Sequence, residues 1–196
     1  MINAKLHDYR VILASQSPRR KELLSGLGIA FEVMPLSIDE FYPNNLKGED
    51  IALYLSELKA KAFVFDNEYQ NVLLITADTI VWLDGEVLPK PKDYSDAVRI
   101  LTKLSGRTHK VITGVTLLTK EKMHSFHSTT NVRFKDLTKE EIDYYLENFK
   151  PYDKAGAYGI QEWIGFIGIE KIEGSYFNVV GLPVQKVYSE LLGFIG

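Results

Sequence analysis

Residues 72–77, reading VLLITA, constrain this chain more than any other stretch. A short apolar run uninterrupted by charge reads as a strand buried on both faces, unlike the alternating pattern of a half-solvated strand. Such a strand needs a covering layer on either side, which helices supply in α/β folds. The run passes directly into Asp78 and Thr79, and residues 80–83 continue extended. Asp84-Gly85 is a hairpin turn signal leading into Glu86, Val87 and Leu88. Pro89, Lys90, Pro91 and Lys92 then form a stiff loop.

Helical and extended segments interleave around this strand. Residues 11–14 read as a second short buried strand, followed by Ser17 as a helix N-cap and Pro18 at the first helical position. Leu23, Leu24 and Leu27 give that helix an apolar stripe, and Gly26 or Gly28 ends it. Residues 31–36 read as a strand. Residues 49–65 read as a helix with Ile51, Leu55, Leu58, Ala62 and Phe65 on its stripe and Lys59 and Lys61 off it. Ser95 is expected to cap a helix reaching Leu104, and residues 111–119 and 125–134 to pair antiparallel. Thr138 with Glu141 makes a capping box for a helix that Pro151 stops. Residues 164–172 and 176–180 read as a hairpin, and residues 183–192 as a closing amphipathic helix. Short turns between strands favour a mixed α/β sheet over a purely parallel one. The expectation is a single domain over residues 1–196, in which the 111–134 pair and its following helix form a second lobe beside a cleft.

Composition removes several function classes. A net charge of −3 provides no global field for a polyanion, so a nucleic-acid partner is not expected. With no cysteine, there is no disulfide, thiolate metal site or cysteine nucleophile. The sequence shows no apolar leader and no membrane-length apolar run, so a cytoplasmic protein is expected. None of the four histidines falls in a metal-binding H-E-x-x-H pattern. Walker, G-x-G-x-x-G and G-x-S-x-G motifs do not occur, which counts against P-loop enzymes, Rossmann dehydrogenases and serine hydrolases.

A different set of polar residues stands out. Arg19 and Arg20 occupy the first turn of a helix, where the dipole disfavours cations; a docked anion would reconcile them with the free N–H groups there. A solvated basic turn is the other reading. Asp78 directly follows an apolar strand, where open α/β sheets bind ligands, and a carboxylate there can hold Mg²⁺, take a proton from water or cap a turn. Asp39 and Glu40 end a strand-like segment and could converge on Asp78. Lys90, held between two prolines, could aim its ammonium at a phosphate or stand exposed in a stiff loop, and Lys61, at the edge of its helix stripe, reads as a snorkelling lysine. The loop from Asp153 to Gln161 is small and glycine-rich, and Gln161 offers both a donor and an acceptor to a base edge. Arginines, carboxylates, lysines and a polar loop together suit a polyphosphate substrate.

In order, Ala14-Ser-Gln-Ser-Pro-Arg-Arg20, Ala77-Asp-Thr79, Lys90-Pro91, Ser105-Gly-Arg-Thr-His109, Thr113-Gly-Val115 and Asp153-Lys-Ala-Gly-Ala-Tyr-Gly-Ile-Gln161 resemble the motifs of the Maf family of nucleoside triphosphate pyrophosphatases. The likeness covers the chain from about Val11 onward, and Arg19, Thr79 and Gln161 resemble the branch acting on dTTP and UTP. The resemblance implies a fold like the inosine triphosphate pyrophosphatases, an elongated mixed sheet with flanking helices and a cleft between two lobes. It implies hydrolysis of the α–β anhydride of a nucleoside triphosphate with a divalent metal, Mg²⁺ or Mn²⁺. Asp78 would accept the proton of the attacking water and, with Glu40, contact the metal. Ser15, Ser17, Arg20, Lys61 and Lys90 would hold phosphate, while Arg19, Thr79 and Gln161 would choose the base. The family is also associated with septum formation, which gives the alternative of a nucleotide-binding regulator, and its members often form dimers. Glu162 and Trp163 depart from the family pattern, which more usually has glycine after the glutamine.

Overall fold

The structure, a computed structural model, describes residues 2–36, 38–66, 69 and 71–196. In chain order the first half comprises α1 (Ile2–Lys5), β1 (Arg10–Leu13), α2 (Pro18–Ser25), β2 (Glu32–Val33), α3 (Glu49–Lys61), β3 (Val72–Leu83), β4 (Glu86–Leu88) and α4 (Tyr94–Leu104). The second half adds β5 (Thr108–Leu118), β6 (Met123–Phe134), α5 (Lys139–Phe149), α6 (Trp163–Gly168), β7 (Ile169–Glu173), α7 (Tyr176–Val180) and α8 (Val184–Phe194), with a single 3-10 turn at Ala155–Ala157. Among the described residues the strands form one seven-stranded mixed sheet, ordered β2-β1-β3-β5-β6-β7, with β4 also paired to β3. β1 runs parallel to β2 and β3, and the remaining pairs are antiparallel.

The apolar run is the middle of this sheet. Side chains alternate along a strand, so β3 sends two sets of residues to two layers. Leu73, Ile75 and Ala77 pack with α2 and α8, whereas Val81 and Leu83, further along the same face, pack with α4 and α5. The opposite face lies under α3, with Leu74 against Ala60 and Ile80 against Leu55. One face therefore carries two separate apolar cores, one near each end of β3. Thr79 lies between them.

Several expected elements form as read and others do not. Ser17 caps α2 with Pro18 at its first position, and the Thr138–Glu141 capping box opens α5. The cap of α4 is Asp93, whose carboxylate accepts from Asp96 N, and not Ser95. The strand expected over residues 31–36 shortens to Glu32–Val33. The 111–134 strands belong to the same continuous sheet, β5 pairing with β3 from Leu74 to Trp82. The expected hairpin over 164–180 is instead helix, strand, helix. Gly165 lies against the Ile160 backbone, where an added Cβ would sit 2.0 Å from the carbonyl oxygen, and Ile164 and Gly168, one turn apart, are both buried. Only Ile169–Glu173 pairs with β6, and Ser175 caps the turn into α7.

His109 on β5 anchors the later part of the chain. Its Nε2 shares a 2.8 Å hydrogen bond with the Tyr158 hydroxyl, and the ring lies edge-on to Phe134. Burial lowers its pKa from 6.5 to about 4, so the folded state favours the neutral ring. The unfolded chain then binds more protons between these values. The stability this provides is full above pH 6.5 and is lost as pH falls towards 4. Denaturant titrations should show about 2 kcal/mol of this loss between about pH 7 and about pH 5. His109→Gln should be flatter over that window by the same amount; an unchanged slope would contradict the assignment.

Candidate active site

The cleft arises where two strands share one edge of β3. β5 takes the other edge, β1 stops opposite Ile75, and the antiparallel β4 reaches back only as far as Val81, opposite its last residue Leu88. Between these limits, residues 76–80 have no strand neighbour on that edge among the described residues. Asp78 and Thr79 fall in the gap and face opposite sides of the sheet. The sequence placed Asp78 after its strand; it is mid-strand, and the strand end that borders it is that of β1.

On the α3 side, the Lys59 ammonium bridges two carboxylates. Its Nζ lies 2.5 Å from Asp78 Oδ1 and 2.7 Å from Glu40 Oε1, and the Lys59 and Asp78 side chains are only 12% and 11% exposed. Burial opposes the charge on Glu40, but the Lys59 hydrogen bond and the charges of Lys59, Lys90 and Arg20 hold its carboxyl below the usual range. Gly114 makes this approach feasible. It is paired with Asp78 across the sheet, and a Cβ there would come within 2.2 Å of Ala52 O in α3. The helix can therefore lie directly on the strand and bring Lys59 to the gap.

On the other side Arg20 is the hub. The Ser17 hydroxyl caps α2 by accepting from Arg20 N at 3.4 Å. Arg20 Nε then donates to Gly181 O (2.9 Å), Nη2 to Thr79 Oγ1 (3.0 Å) and Nη1 to Ser15 Oγ (3.4 Å). Burial lowers the Arg20 pKa from the ordinary arginine value, opposed by the charge of Asp78. A guanidinium has more N–H donors than these acceptors use, so an anion in the cleft finds donors already aimed. Lys90 lines the same cleft as Ser17, Asp78 and Gln161.

The far wall is the loop between α5 and α6. Gly156 has φ +72° and an added Cβ would meet Val81 at 2.9 Å, so glycine lets the backbone close over β3. The buried Tyr145 hydroxyl accepts from Gly159 N (3.0 Å) and donates to Glu162 Oε2. Burial and the Glu162 carboxylate raise its pKa. Lys154 Nζ contacts both Asp153 Oδ1 (2.8 Å) and Glu162 Oε1 (2.9 Å). Glu162, the departure noted in the sequence, thus braces the loop that carries Gln161. Arg19 Nη1 reaches across from α2 to Asp153 Oδ2 at 3.2 Å.

The structure brings Ser15, Ser17, Arg19, Arg20, Glu40, Asp78, Thr79, Lys90 and Gln161 to this cleft and its two mouths. It does not bring Lys61, which is exposed on α3 and pairs with Glu57 one turn earlier at 3.1 Å. Lys59, two residues earlier, is the lysine of α3 that reaches the cleft. The buried residues of α3 are Ile51, Ala52, Leu55, Ser56 and Ala60. Lys59 continues that row, one turn after Leu55 and Ser56 and two turns after Ala52, a spacing visible in the sequence. Among the described residues no group of three histidines, cysteines or acids is arranged to hold a metal. Glu40 and Asp78 converge on one point as a pair. No helix among the described residues is long and apolar enough to cross a membrane.

The family model described as Maf-like protein matches residues 10–194. The chain belongs to the Maf-like family. A relative in Phocaeicola vulgatus, named dTTP/UTP pyrophosphatase, is 59% identical over 95% of this chain and 96% of its own length. Relatives of the same name in Porphyromonas gingivalis and Bacteroides fragilis are 53% and 52% identical, each over 96% of this chain and 96% and 97% of their own lengths. The Maf match spans every element from β1 to α8, including both sides of the cleft.

Proposed function

We propose that this chain hydrolyses the α–β phosphoanhydride of pyrimidine nucleoside triphosphates, dTTP and UTP foremost, to the monophosphate and pyrophosphate. The observation that carries this reading is the joining, through one gap in the sheet, of the Asp78–Lys59–Glu40 cluster to the donor fork of Arg20. The names of the relatives supply the substrate class. A protein that only bound nucleotide would need the arginine fork and not the carboxylates. The net charge of −3 also suits a small nucleotide better than a nucleic acid.

Ser15, Ser17, Arg20 and Lys90 would hold the phosphate chain, and Arg19, Thr79 and Gln161 the base. Asp78 would take a proton from water as the water oxygen bonds to phosphorus. The bridging oxygen then leaves with its electron pair. Glu40 and Asp78 fit a divalent cation, Mg²⁺ or Mn²⁺, because such an ion needs only one or two protein carboxylates beside phosphate oxygens and water. Bound there, it would supply charge neutralisation and polarise the phosphoryl group. Lys59 keeps the two carboxylates together whether or not they are otherwise engaged. Cytoplasmic placement follows as part of the same reading.

A panel of nucleoside triphosphates assayed for pyrophosphate release, with Mg²⁺ and with Mn²⁺, tests the proposal. The expected result is turnover concentrated on dTTP and UTP, with purine triphosphates lower by about tenfold or more in kcat/KM. A preference for a purine, or no turnover of any triphosphate, would overturn it.

A further inference from the structure

Thr79 sits in a hydrogen-bond chain with a pure donor at one end and a pure acceptor at the other. Arg20 Nη2 can only donate, and it gives its proton to Thr79 Oγ1 (3.0 Å). At the other end the Asn178 carbonyl can only accept, and it takes the hydroxyl proton of Thr113 (3.2 Å). The link between them, Thr79 Oγ1 to Thr113 Oγ1, is 2.9 Å long. Thr113 has a single hydroxyl proton; given to Asn178 O, the carbonyl within its reach, it leaves the shared link to be filled from the Thr79 side. The proton in the shared link therefore comes from Thr79. With its proton turned inward and one lone pair on Arg20, Thr79 presents only a lone pair to the cleft. Thr113 is fully buried and never reaches the cleft itself.

We infer that Thr113 is a positioning residue for base selection, because it holds Thr79 as a pure acceptor towards the substrate. The inference rests on the proposed pyrimidine activity and on Thr79 meeting the base. Uracil and thymine present an N3–H donor, whereas cytosine presents a lone pair at N3. An acceptor-only Thr79 accommodates the first and opposes the second. A hydroxyl free to rotate would accept either. The surroundings keep this polarity in place. Asn178 is fully buried, and its amide donates to Val111 O and Thr130 Oγ1, both at 3.0 Å, so the carbonyl that orders Thr113 is itself held.

The test compares kcat/KM for UTP and CTP in the wild type, Thr113→Val and Thr113→Ser. Valine keeps the shape and removes the acceptor for the Thr79 proton. Asn178 O retains its bond from Gly181 N (3.1 Å), so no buried carbonyl is stranded. The wild type is expected to prefer UTP, and Thr113→Val to lower that preference by about tenfold, chiefly through a gain on CTP. Thr113→Ser, which restores the hydroxyl, should restore the preference. A merely structural role would instead lower both substrates together and leave their ratio unchanged, and that result would overturn the inference. Should the valine variant not fold, Thr113→Ala makes the same deletion, and a wild type indifferent between UTP and CTP refutes the inference without any variant. Absence of turnover on both by the wild type would remove the pyrimidine reading, and this inference with it.

Discussion

Asp78→Asn is expected to lower kcat by about a thousandfold while leaving nucleotide binding within a few-fold of the wild type. The substitution is nearly isosteric, and its effect is confined to charge and basicity. Lys59 keeps its second carboxylate, Glu40 at 2.7 Å, so the cluster loses one partner and not its centre. The arginine fork does not involve the Asp78 side chain: Arg20 is held by Gly181 O, Ser15 and Thr79. The groups proposed for phosphate binding and for proton removal are therefore separable, one on each face of β3. Steady-state rates beside a direct binding titration make the comparison. Turnover close to wild type in the asparagine variant would exclude Asp78 as the proton acceptor.

Lys59→Met should be the second large effect, with Lys61→Met as its control. Methionine keeps most of the aliphatic stem and removes the ammonium. That leaves two carboxylates facing one another without the protein cation that lay 2.5 and 2.7 Å from them. Like charges in a partly dry site oppose both ionisation and the approach of a polyanion. The expected fall in kcat/KM is about a hundredfold. Lys61 is exposed, and its i,i+4 pair with Glu57 is of the kind that contributes about 0.5 kcal/mol or less. Lys61→Met should thus change activity by less than about twofold and stability by no more than about 0.5 kcal/mol. Equal losses in the two variants would contradict the placement of the helix on the sheet.

The contrast between the two lysines illustrates what sequence could and could not convey. An apolar run flanked by covering elements is local information, and the central strand, its turn into β4 and the α2 and α5 caps were all readable from it. Choosing between two helix stripes was harder. Ile51, Leu55, Leu58, Ala62 and Phe65 make an acceptable stripe, yet the buried row passes through Ser56 instead. Its hydroxyl is paired with Thr116 at 2.9 Å and its carbonyl with Thr76 at 2.7 Å. A polar residue satisfied by the neighbouring sheet is indistinguishable, in one dimension, from a solvent-facing one. The same limit hid Thr113, whose role exists only through Thr79 and Asn178. In residues 164–180 the apolar spacing imitated a strand because Gly165 serves close packing against the Ile160 backbone. The cleft has a comparable origin. Nothing local announces that β1 and β4 will share one edge of β3 and leave Asp78 and Thr79 open between them.

The most direct test of the account is the identity of the bond broken. Phosphorus NMR of dTTP incubated with the protein and Mg²⁺ should show pyrophosphate and dTMP accumulating in equal amounts, with no build-up of dTDP. Orthophosphate with dTDP, or an unchanged triphosphate spectrum, would contradict it.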